Sequence, residues 1–220
     1  MHLQKQSCVD FNEMNPMTNY KSHISSAIIS DVLDEMGYVQ QLLPPEIKPN
    51  FVKARLFGRA RTITLKPITN SENHRDVYRG LHFLEQLDKG EVLVVGNGFK
   101  ELAFFGELMA TLAQYRGVDG TIVDGCTRDT VETIAMRYPV FARTNYSRDI
   151  KNRGIVDKLD IPVVIGECTV KPGDLLFGDY DAVAVIPREI EKEVLTQCVA
   201  VADLEKKIKK DIKRGVSVDD

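Results

Sequence analysis

Five charged side chains whose types suit acid–base or metal chemistry lie between positions 107 and 132: Glu107, Asp124, Arg128, Asp129 and Glu132. Carboxylates gathered at one point repel one another unless protons or a cation intervene. Oxygen ligands without histidine or cysteine suit magnesium or manganese. Because magnesium binds one or two protein carboxylates and keeps several waters, Asp129 would bind it directly while Glu107 or Asp124 held its waters. Arg128 would then offer a two-pronged donor to a substrate carboxylate.

Each of these residues also has an ordinary structural explanation. Asp129 followed by Glu132 is a capping box at a helix start, and Asp124 followed by glycine is a turn. Glu107 in the first turn of a helix is favoured by the helix macrodipole. The same helix start, residues 106–109, would also present free backbone amides to an anionic carboxylate. The residue types therefore leave a metal site and a purely structural role both open.

The chemistry depends on elements that bring these positions together. Residues 91–95 form an apolar, β-branched run that predicts a buried strand opening into a glycine loop at 96–98. An apolar periodicity then predicts a helix that stops at Gly117, followed by a strand at 121–123 that ends at Asp124 and a third helix that starts near Asp129. Strand, helix and strand form a parallel βαβ unit, in which the strand ends and the helix start share one sheet edge. The charged residues should therefore converge at that edge.

The remaining elements frame this unit. Residues 24–36 predict an amphipathic helix, and residues 51–57 and 59–65 predict two strands interrupted at Gly58. Apolar runs at 175–177 and 182–186, around a polar turn, predict a hairpin. From Arg188 onward the pattern predicts a helix with an apolar stripe, beside lysines that we interpret as a solvated face. The stripe consists of Leu204, Ile208 and Ile212.

Composition sets the class of protein. The 220 residues are 43% hydrophobic and 28% charged, with a formal net charge of −3, which predicts one soluble domain over residues 1–220. The near-balanced charge and the 7% of aromatic residues argue against nucleic-acid binding. No apolar run approaches the roughly 20 residues of a membrane span, and the N-terminus lacks a secretory signal, so we expect a cytoplasmic protein. Histidines and cysteines show no zinc or disulfide spacing, which leaves an enzyme or a protein-binding module.

The central residues resemble a known family. They are similar to the RraA-like proteins and to their enzymatic members, the class II 4-hydroxy-4-methyl-2-oxoglutarate aldolases, at residues 105–111, 116–117, 123–125, 128–129 and 132. Shorter similarities follow the family in order at 58–62, 140–143, 171–174, 178–179 and 186–187. The resemblance covers about residues 24–215 and leaves residues 1–18 as an N-terminal extension.

The resemblance implies a fold and a reaction. The fold is α/β, a swivelling β/β/α-type sandwich around a central βαβ unit, assembled as a homotrimer or hexamer. The reaction is the cleavage of a small-molecule 4-hydroxy-2-oxo acid to pyruvate by a lyase that depends on a divalent metal, Mg²⁺ or Mn²⁺. Oxaloacetate decarboxylation is an expected companion activity, because both reactions generate a pyruvate enolate that positive charge stabilises.

The resemblance also implies roles for individual positions. Arg128 matches the residue that binds the pyruvyl group, Asp129 matches the direct metal ligand, and Glu107 stands where an acid orders the water around the metal. Glu205 is the candidate for the acid that the family brings in from a neighbouring subunit, although it equally fits a solvated helix face. The resemblance further implies that the backbone at the helix start binds the carboxylate of pyruvate. The residues concerned are Gly106, Leu108 and Met109.

Two other functions fit parts of the sequence. RraA-like regulators bind ribonuclease E without any chemistry, but they generally lack the acid that Glu107 supplies, so the resemblance favours the aldolase. A methyltransferase would use Gly96-Asn97-Gly98 as a nucleotide loop, and a lone G-x-G is weak support for one.

Some segments depart from the family or have no assigned role. Four residues differ from those common in the family, and these differences leave the identity of the substrate open: Asn97, Cys126, Thr127 and Ala182. The polar segment 70–75 has no assigned role. The basic loop 143–153 would hold a second substrate carboxylate or be an ordinary solvated loop. Its cationic residues are Arg143, Arg148, Lys151 and Arg153.

Overall fold

The computed structural model describes residues 16–96 and 98–217, so Asn97 and most of the 1–18 extension lie outside the described residues. The α-helices are α1 Pro16–His23, α2 Ser26–Glu35, α3 Arg79–Leu84, α4 Glu107–Arg116, α5 Thr130–Ala135 and α6 Glu191–Ile212, and a 3₁₀ helix spans His74–Tyr78. The strands are β1 Lys48–Pro49, β2 Leu56–Pro67, β3 Glu91–Gly96, β4 Ala103–Phe105, β5 Gly120–Thr127, β6 Val140–Asn145, β7 Gly154–Leu159, β8 Val163–Ile165, β9 Cys168–Val170, β10 Leu175–Gly178 and β11 Val183–Ile186.

One mixed sheet organises the described part of the chain. Its strands follow the order β1-β6-β5-β3-β2-β10-β11, with β4 beside β5 and β7 beside β2, while β8 and β9 form a separate two-stranded sheet. The neighbours β2, β3, β5 and β6 run parallel, whereas β1, β7, β10 and β11 pair antiparallel with their neighbours. The expected α/β fold is therefore confirmed, and so is the hairpin of β10 and β11.

The predicted βαβ unit is present. Strands β3 and β5 pair in parallel from Val92 opposite Gly120 to Val95 opposite Val123, and α4 lies between them in the chain. Helix α4 ends at Gly117, whose φ of 76° lies in the left-handed region that glycine adopts without steric cost. This unit fixes the relative positions of the β5 end and the α4 start, where the charged residues lie.

Two strand boundaries predicted from glycines are wrong. Strand β2 runs through Gly58 without a break. The glycine is needed there because a Cβ would lie 2.1 Å from the carbonyl oxygen of Gly90. Strand β5 continues past Asp124 to Thr127, and its register with β6 shifts between Val123 and Cys126. In both places the glycine permits a close approach of another backbone segment, since a Cβ at Gly125 would contact the backbone of residues 98–99 at about 3.0 Å.

Apolar side chains cover both faces of the sheet around β3. On one face Phe83 of α3 and Ala110 of α4 pack with Leu93, and on the other Ile165 of β8 packs with Val94. A third cluster lies where α2 and α6 cover β10 and β11. The strands that carry the candidate site are thus held from both sides.

Helix α6 confirms the C-terminal helix predicted from Arg188 onward, with a start at Glu191. Its buried residues end at Ala202, and the later apolar residues Leu204, Ile208 and Ile212 are 57%, 48% and 59% exposed. Within residues 16–96 and 98–217, no helix combines the length and the apolar character needed to cross a membrane.

Candidate active site

A cavity of about 480 Å³ opens where the ends of β4 and β5 meet the start of α4. Its charged lining consists of Glu107, Arg128, Asp129, Asp149 and Lys151. Its apolar lining consists of Val77, Tyr78, Leu81, Phe104, Leu108, Met109 and Ile150. The cavity combines a cationic fork, carboxylates and an apolar wall, which is the usual composition of a site for a small organic acid.

Asp129 faces the start of α4. Its Oδ2 accepts a hydrogen bond from the backbone N of Glu107 at 3.1 Å. The approach requires a glycine at position 106, because a Cβ there would lie 2.4 Å from Asp129 Oδ2. The sequence thus places Gly106 where only the absence of a side chain lets the carboxylate reach the helix.

The capping box, which is the structural alternative for Asp129 and Glu132, is not formed. Asp129 has a left-handed backbone with φ of 53°, which aspartate tolerates better than most residues, and its side chain makes no cap to α5. The backbone carbonyl of Asp129 instead accepts the N–H of Thr133 at 3.1 Å. The backbone therefore starts α5, and the carboxylate is turned toward the cavity.

Arg128 lies between two carboxylates. Its Nη1 donates to Asp149 Oδ2 at 2.7 Å, and its Nε lies 3.6 Å from Asp129 Oδ2. The backbone N of Arg128 donates to the carbonyl of Phe105 at 3.0 Å, which ties this segment to the end of β4. The guanidinium therefore has a defined place at the cavity, 34% exposed.

The predicted convergence of four carboxylates is wrong for Asp124 and Glu132. Asp124 lies within β5, and its Oδ1 accepts a hydrogen bond from Arg143 Nε on β6 at 2.5 Å. Glu132 is exposed on α5 and does not line the cavity. The continuation of β5 past Asp124 accounts for the difference at that residue, because it places the Asp124 side chain beside Arg143 of β6.

Glu205 lies away from this cavity in the single chain. Its Oε2 accepts a hydrogen bond from Lys209 Nζ at 2.6 Å, one helical turn along α6. It lines a separate groove between α6 and residues 22–28. The contribution of Glu205 to a neighbouring subunit stays a prediction.

The donor chemistry of the cavity fits a magnesium or manganese ion that keeps most of its waters. Across the described ranges, no group of three or more histidine, cysteine or acidic residues could hold a metal ion, so a closed all-protein cage is not formed. Magnesium needs only one or two protein carboxylates. Asp129, which is 39% exposed, and Glu107 both line the cavity and together supply that number. These two residues would hold the ion, with water completing its coordination.

Residues beyond the predicted set also line the cavity. Asp149 carries no motif signal, and its role follows only from its contact with Arg128. Of the cationic residues in loop 143–153, Lys151 lines the cavity, whereas Arg143 pairs with Asp124 and Arg153 donates to backbone carbonyls within the loop. The apolar wall comes partly from Val77 and Tyr78, which follow the unassigned polar segment 70–75.

A parallel βαβ unit with an acid and arginine cavity at its strand ends is typical of α/β proteins that bind small molecules. The family model described as "RraA-like: Aldolase/RraA" matches residues 26–185. The chain therefore belongs to the RraA-like family, as the motif around Glu107, Arg128 and Asp129 predicted.

Individual relatives agree with this assignment. Protein DlpA of Legionella pneumophila is 29% identical over 216 residues, which are 98% of this chain but 34% of DlpA, so the chain spans about a third of that relative. A protein of Azotobacter vinelandii, provisionally named 4-hydroxy-4-methyl-2-oxoglutarate aldolase, is 37% identical over 169 residues, covering 74% of this chain and 96% of that protein. The crystal structure of an uncharacterized protein from Pseudomonas syringae pv. tomato has a TM-score of 0.81 at 29% identity, covering 91% of this chain and 90% of that one.

Proposed function

We propose that this protein is a metal-dependent carbon–carbon lyase that cleaves a 4-hydroxy-2-oxo acid to pyruvate. The observation that carries the proposal is the convergence of Arg128, Asp129 and Glu107 on the start of α4 within one cavity. The provisional aldolase name of the Azotobacter relative supports the same reaction class.

The substrate's 2-oxo acid end would bind at the α4 start. Arg128 presents a planar donor fork that matches a carboxylate. The first intrahelical hydrogen bond of α4 is made by Ala110 N to the carbonyl of Gly106 at 2.9 Å, so the N–H groups of Leu108 and Met109 precede the helical ladder. These amides and the positive end of the helix dipole would hold the same carboxylate.

Charge development assigns the remaining roles. Asp129 would hold the divalent ion directly and Glu107 would hold it through water. When bound, the ion would supply positive charge that stabilises the pyruvate enolate formed as the distal carbon–carbon bond breaks. In that cleavage the 4-hydroxyl loses its proton as its carbon becomes a carbonyl, and the enolate takes up a proton to give pyruvate. Arg128 adds a fixed positive charge to the same region and so favours the enolate over the bound substrate. Loss of carbon dioxide from oxaloacetate leaves the same enolate, so oxaloacetate decarboxylation is part of the proposal.

A regulator that binds ribonuclease E is the second candidate, because the matching family model covers both aldolases and RraA proteins. Glu107 in the cavity favours the enzyme, since the regulators generally lack an acid at that position. The homotrimeric or hexameric assembly belongs to the proposal under either function.

The deciding experiment is a pyruvate-release assay coupled to lactate dehydrogenase, run over a panel of 4-hydroxy-2-oxo acids and oxaloacetate with and without Mg²⁺ or Mn²⁺. We expect metal-dependent pyruvate release that Arg128→Ala abolishes and that Arg143→Ala, at an arginine outside the cavity, retains. Release undiminished in Arg128→Ala would contradict the assignment. A parallel arm measures inhibition of purified ribonuclease E, and inhibition without any pyruvate release would favour the regulator.

A further inference from the structure

The cavity contains a carboxylate that the proposed reaction does not use. Asp149 lies in the loop after β6, and its Oδ2 accepts the hydrogen bond from Arg128 Nη1 at 2.7 Å. On the other side of the guanidinium, Nε lies 3.6 Å from Asp129 Oδ2. Arg128 is therefore held between carboxylates that come from two different segments of the chain.

The loop around Asp149 is itself fixed by backbone hydrogen bonds. Ala103 N of β4 donates to the carbonyl of Arg148 at 2.7 Å, and Ile150 N donates back to the carbonyl of Ala103 at 3.1 Å. Asp149 Oδ1 accepts the backbone N–H of Lys151 at 2.7 Å, which closes a local turn. Because both oxygens of Asp149 have defined partners, its position does not depend on a bound ligand.

We propose that Asp149 is a positioning residue that holds the Arg128 guanidinium ready for the substrate carboxylate. The inference rests on the proposed function in one respect, namely that Arg128 binds that carboxylate. With Nη1 given to Asp149 and Nε facing Asp129, Nη2 is the terminal nitrogen left to receive the incoming anion. Within residues 16–96 and 98–217, Nη2 makes no hydrogen bond.

Pre-positioning has a definite kinetic consequence. An arginine side chain has many rotamers, and an unrestrained Arg128 would have to be ordered each time a substrate binds. That ordering cost arises when the substrate binds and does not arise again in the transition state, so it weakens the complexes with substrate and with transition state equally. A loss of this kind raises KM and leaves kcat nearly unchanged.

The sharpest variant is Asp149→Asn. The amide oxygen retains the acceptor for Lys151 N, so the local turn is kept, but an NH₂ group replaces the oxygen that receives Arg128 Nη1. The matched control is Asp160→Asn, which breaks the Arg61–Asp160 pair outside the cavity. The two aspartates are comparably exposed, 37% for Asp149 and 38% for Asp160.

We expect Asp149→Asn to raise KM for the cleaved 2-oxo acid about tenfold, the factor for one charge-assisted hydrogen bond, while kcat changes less than about threefold. Asp160→Asn should change neither constant by more than about twofold. In the resting protein labelled with ¹⁵N-arginine, the Arg128 resonance, assigned by Arg128→Lys, should show hindered rotation of the terminal nitrogens that becomes free in Asp149→Asn.

The two readouts separate the two proposals. An Arg128 resonance unaffected by Asp149→Asn overturns the positioning role whether or not the protein is an enzyme. A KM that stays constant or falls in this variant also overturns it, since a fall would mean that Asp149 competes with the substrate. If the wild-type protein releases no pyruvate from any 2-oxo acid, the lyase proposal fails, and the resonance still decides whether Asp149 holds Arg128.

Discussion

The two ends of β5 each carry an aspartate, and the surroundings of the two side chains differ. Asp119, just before the strand, accepts Lys21 Nζ at 2.8 and 2.7 Å and the backbone N–H of Phe57 at 2.6 Å. Asp129, just after the far end, accepts the backbone N–H of Glu107 at a longer 3.1 Å. The first carboxylate joins α1, β2 and β5, whereas the second is available to a ligand at the cavity.

The comparison shows that the donors already bound to a carboxylate, rather than its residue type, set whether that carboxylate is available to a ligand. Burial raises the pKa of Asp119, and its hydrogen bonds to Lys21 and Phe57 oppose that rise. Asp124, inside the same strand, is also saturated, by Arg143. Changes at the two ends of β5 should therefore affect different properties, stability at Asp119 and activity at Asp129.

The largest expected effect is at the cavity end. Asp129→Asn should lower kcat for pyruvate release at least about 100-fold, because the variant loses the charge that holds the metal while keeping an acceptor for Glu107 N. The free energy of unfolding should change by less than about 0.5 kcal/mol, as for other half-exposed positions. Steady-state kinetics and urea unfolding measure the two quantities. If Asp129→Asn is much less stable than the wild type but retains its kcat, the assignment of activity to Asp129 is contradicted.

The next largest effect is at the opposite end of β5. Asp119→Ala should lower the free energy of unfolding by about 2 kcal/mol, because the N–H of Phe57 and the ammonium of Lys21 lose their acceptor. The kcat of the folded fraction should stay within about twofold of the wild type. Urea unfolding with parallel kinetics checks this prediction. An unchanged stability together with a lost activity would place Asp119 in the functional site.

A smaller effect should appear as the pH rises. Tyr138, near Asp119, has its hydroxyl 3.0 Å from Thr121 Oγ1, and burial raises its pKa above the ordinary value. Burial also raises the pKa of Cys168 and of Cys198 to about 12. As the pH rises, the unfolded chain loses these protons before the folded chain does. The stability that these groups contribute is therefore fully present below about pH 8.5, and it is lost as the pH rises toward their folded-state pKa values.

Variants of the tyrosines test this alkaline dependence. Above about pH 10, Tyr138→Phe should lessen the loss of stability by up to about 1.4 kcal/mol per pH unit, the slope for one proton. Tyr115→Phe is the matched control, because Tyr115 is 86% exposed and should leave the slope unchanged. Urea unfolding between pH 8 and 11 measures the slopes. Equal slopes in both variants would exclude Tyr138 as the source.

The smallest effect is expected at Glu132. Glu132→Gln should change kcat and KM by less than about twofold, since the side chain is exposed on α5 and does not line the cavity. The coupled assay for pyruvate release is sufficient to measure it. A tenfold loss of activity would restore Glu132 to the site from which the structure separates it.

Periodicity and element order made the central unit predictable. The β-branched run of β3, the apolar spacing of α4 and the stop at Gly117 are local signals, and each local preference agrees with the final fold. The parallel arrangement then brings Glu107 and Asp129 to the same edge. The charged motif and the shared edge of Glu107 and Asp129 are therefore predictable from the sequence.

The features that sequence reasoning missed depend on contacts between distant segments. Gly58 looks like a strand break locally, but the approach of Gly90 is what requires the glycine. Asp149 is 21 residues from Arg128 in a loop without periodicity, so nothing local marks it as a partner. The sequence around Asp124 gives no sign that Arg143 neutralises it, because Arg143 lies on another strand. Local pattern alone therefore assigns Asp124 to the site.

The central claim, that Asp129 and Arg128 form a metal-dependent site for 2-oxo acid cleavage, is tested most directly by removing and restoring the metal. Pyruvate release from oxaloacetate and from 4-hydroxy-2-oxo acids is measured after EDTA treatment and gel filtration, then during titration with Mn²⁺. The account predicts that EDTA abolishes release, that Mn²⁺ restores it in the wild type, and that Asp129→Asn is not restored at the same concentrations. Release that persists in EDTA, or that Asp129→Asn recovers at the wild-type Mn²⁺ concentration, would contradict it.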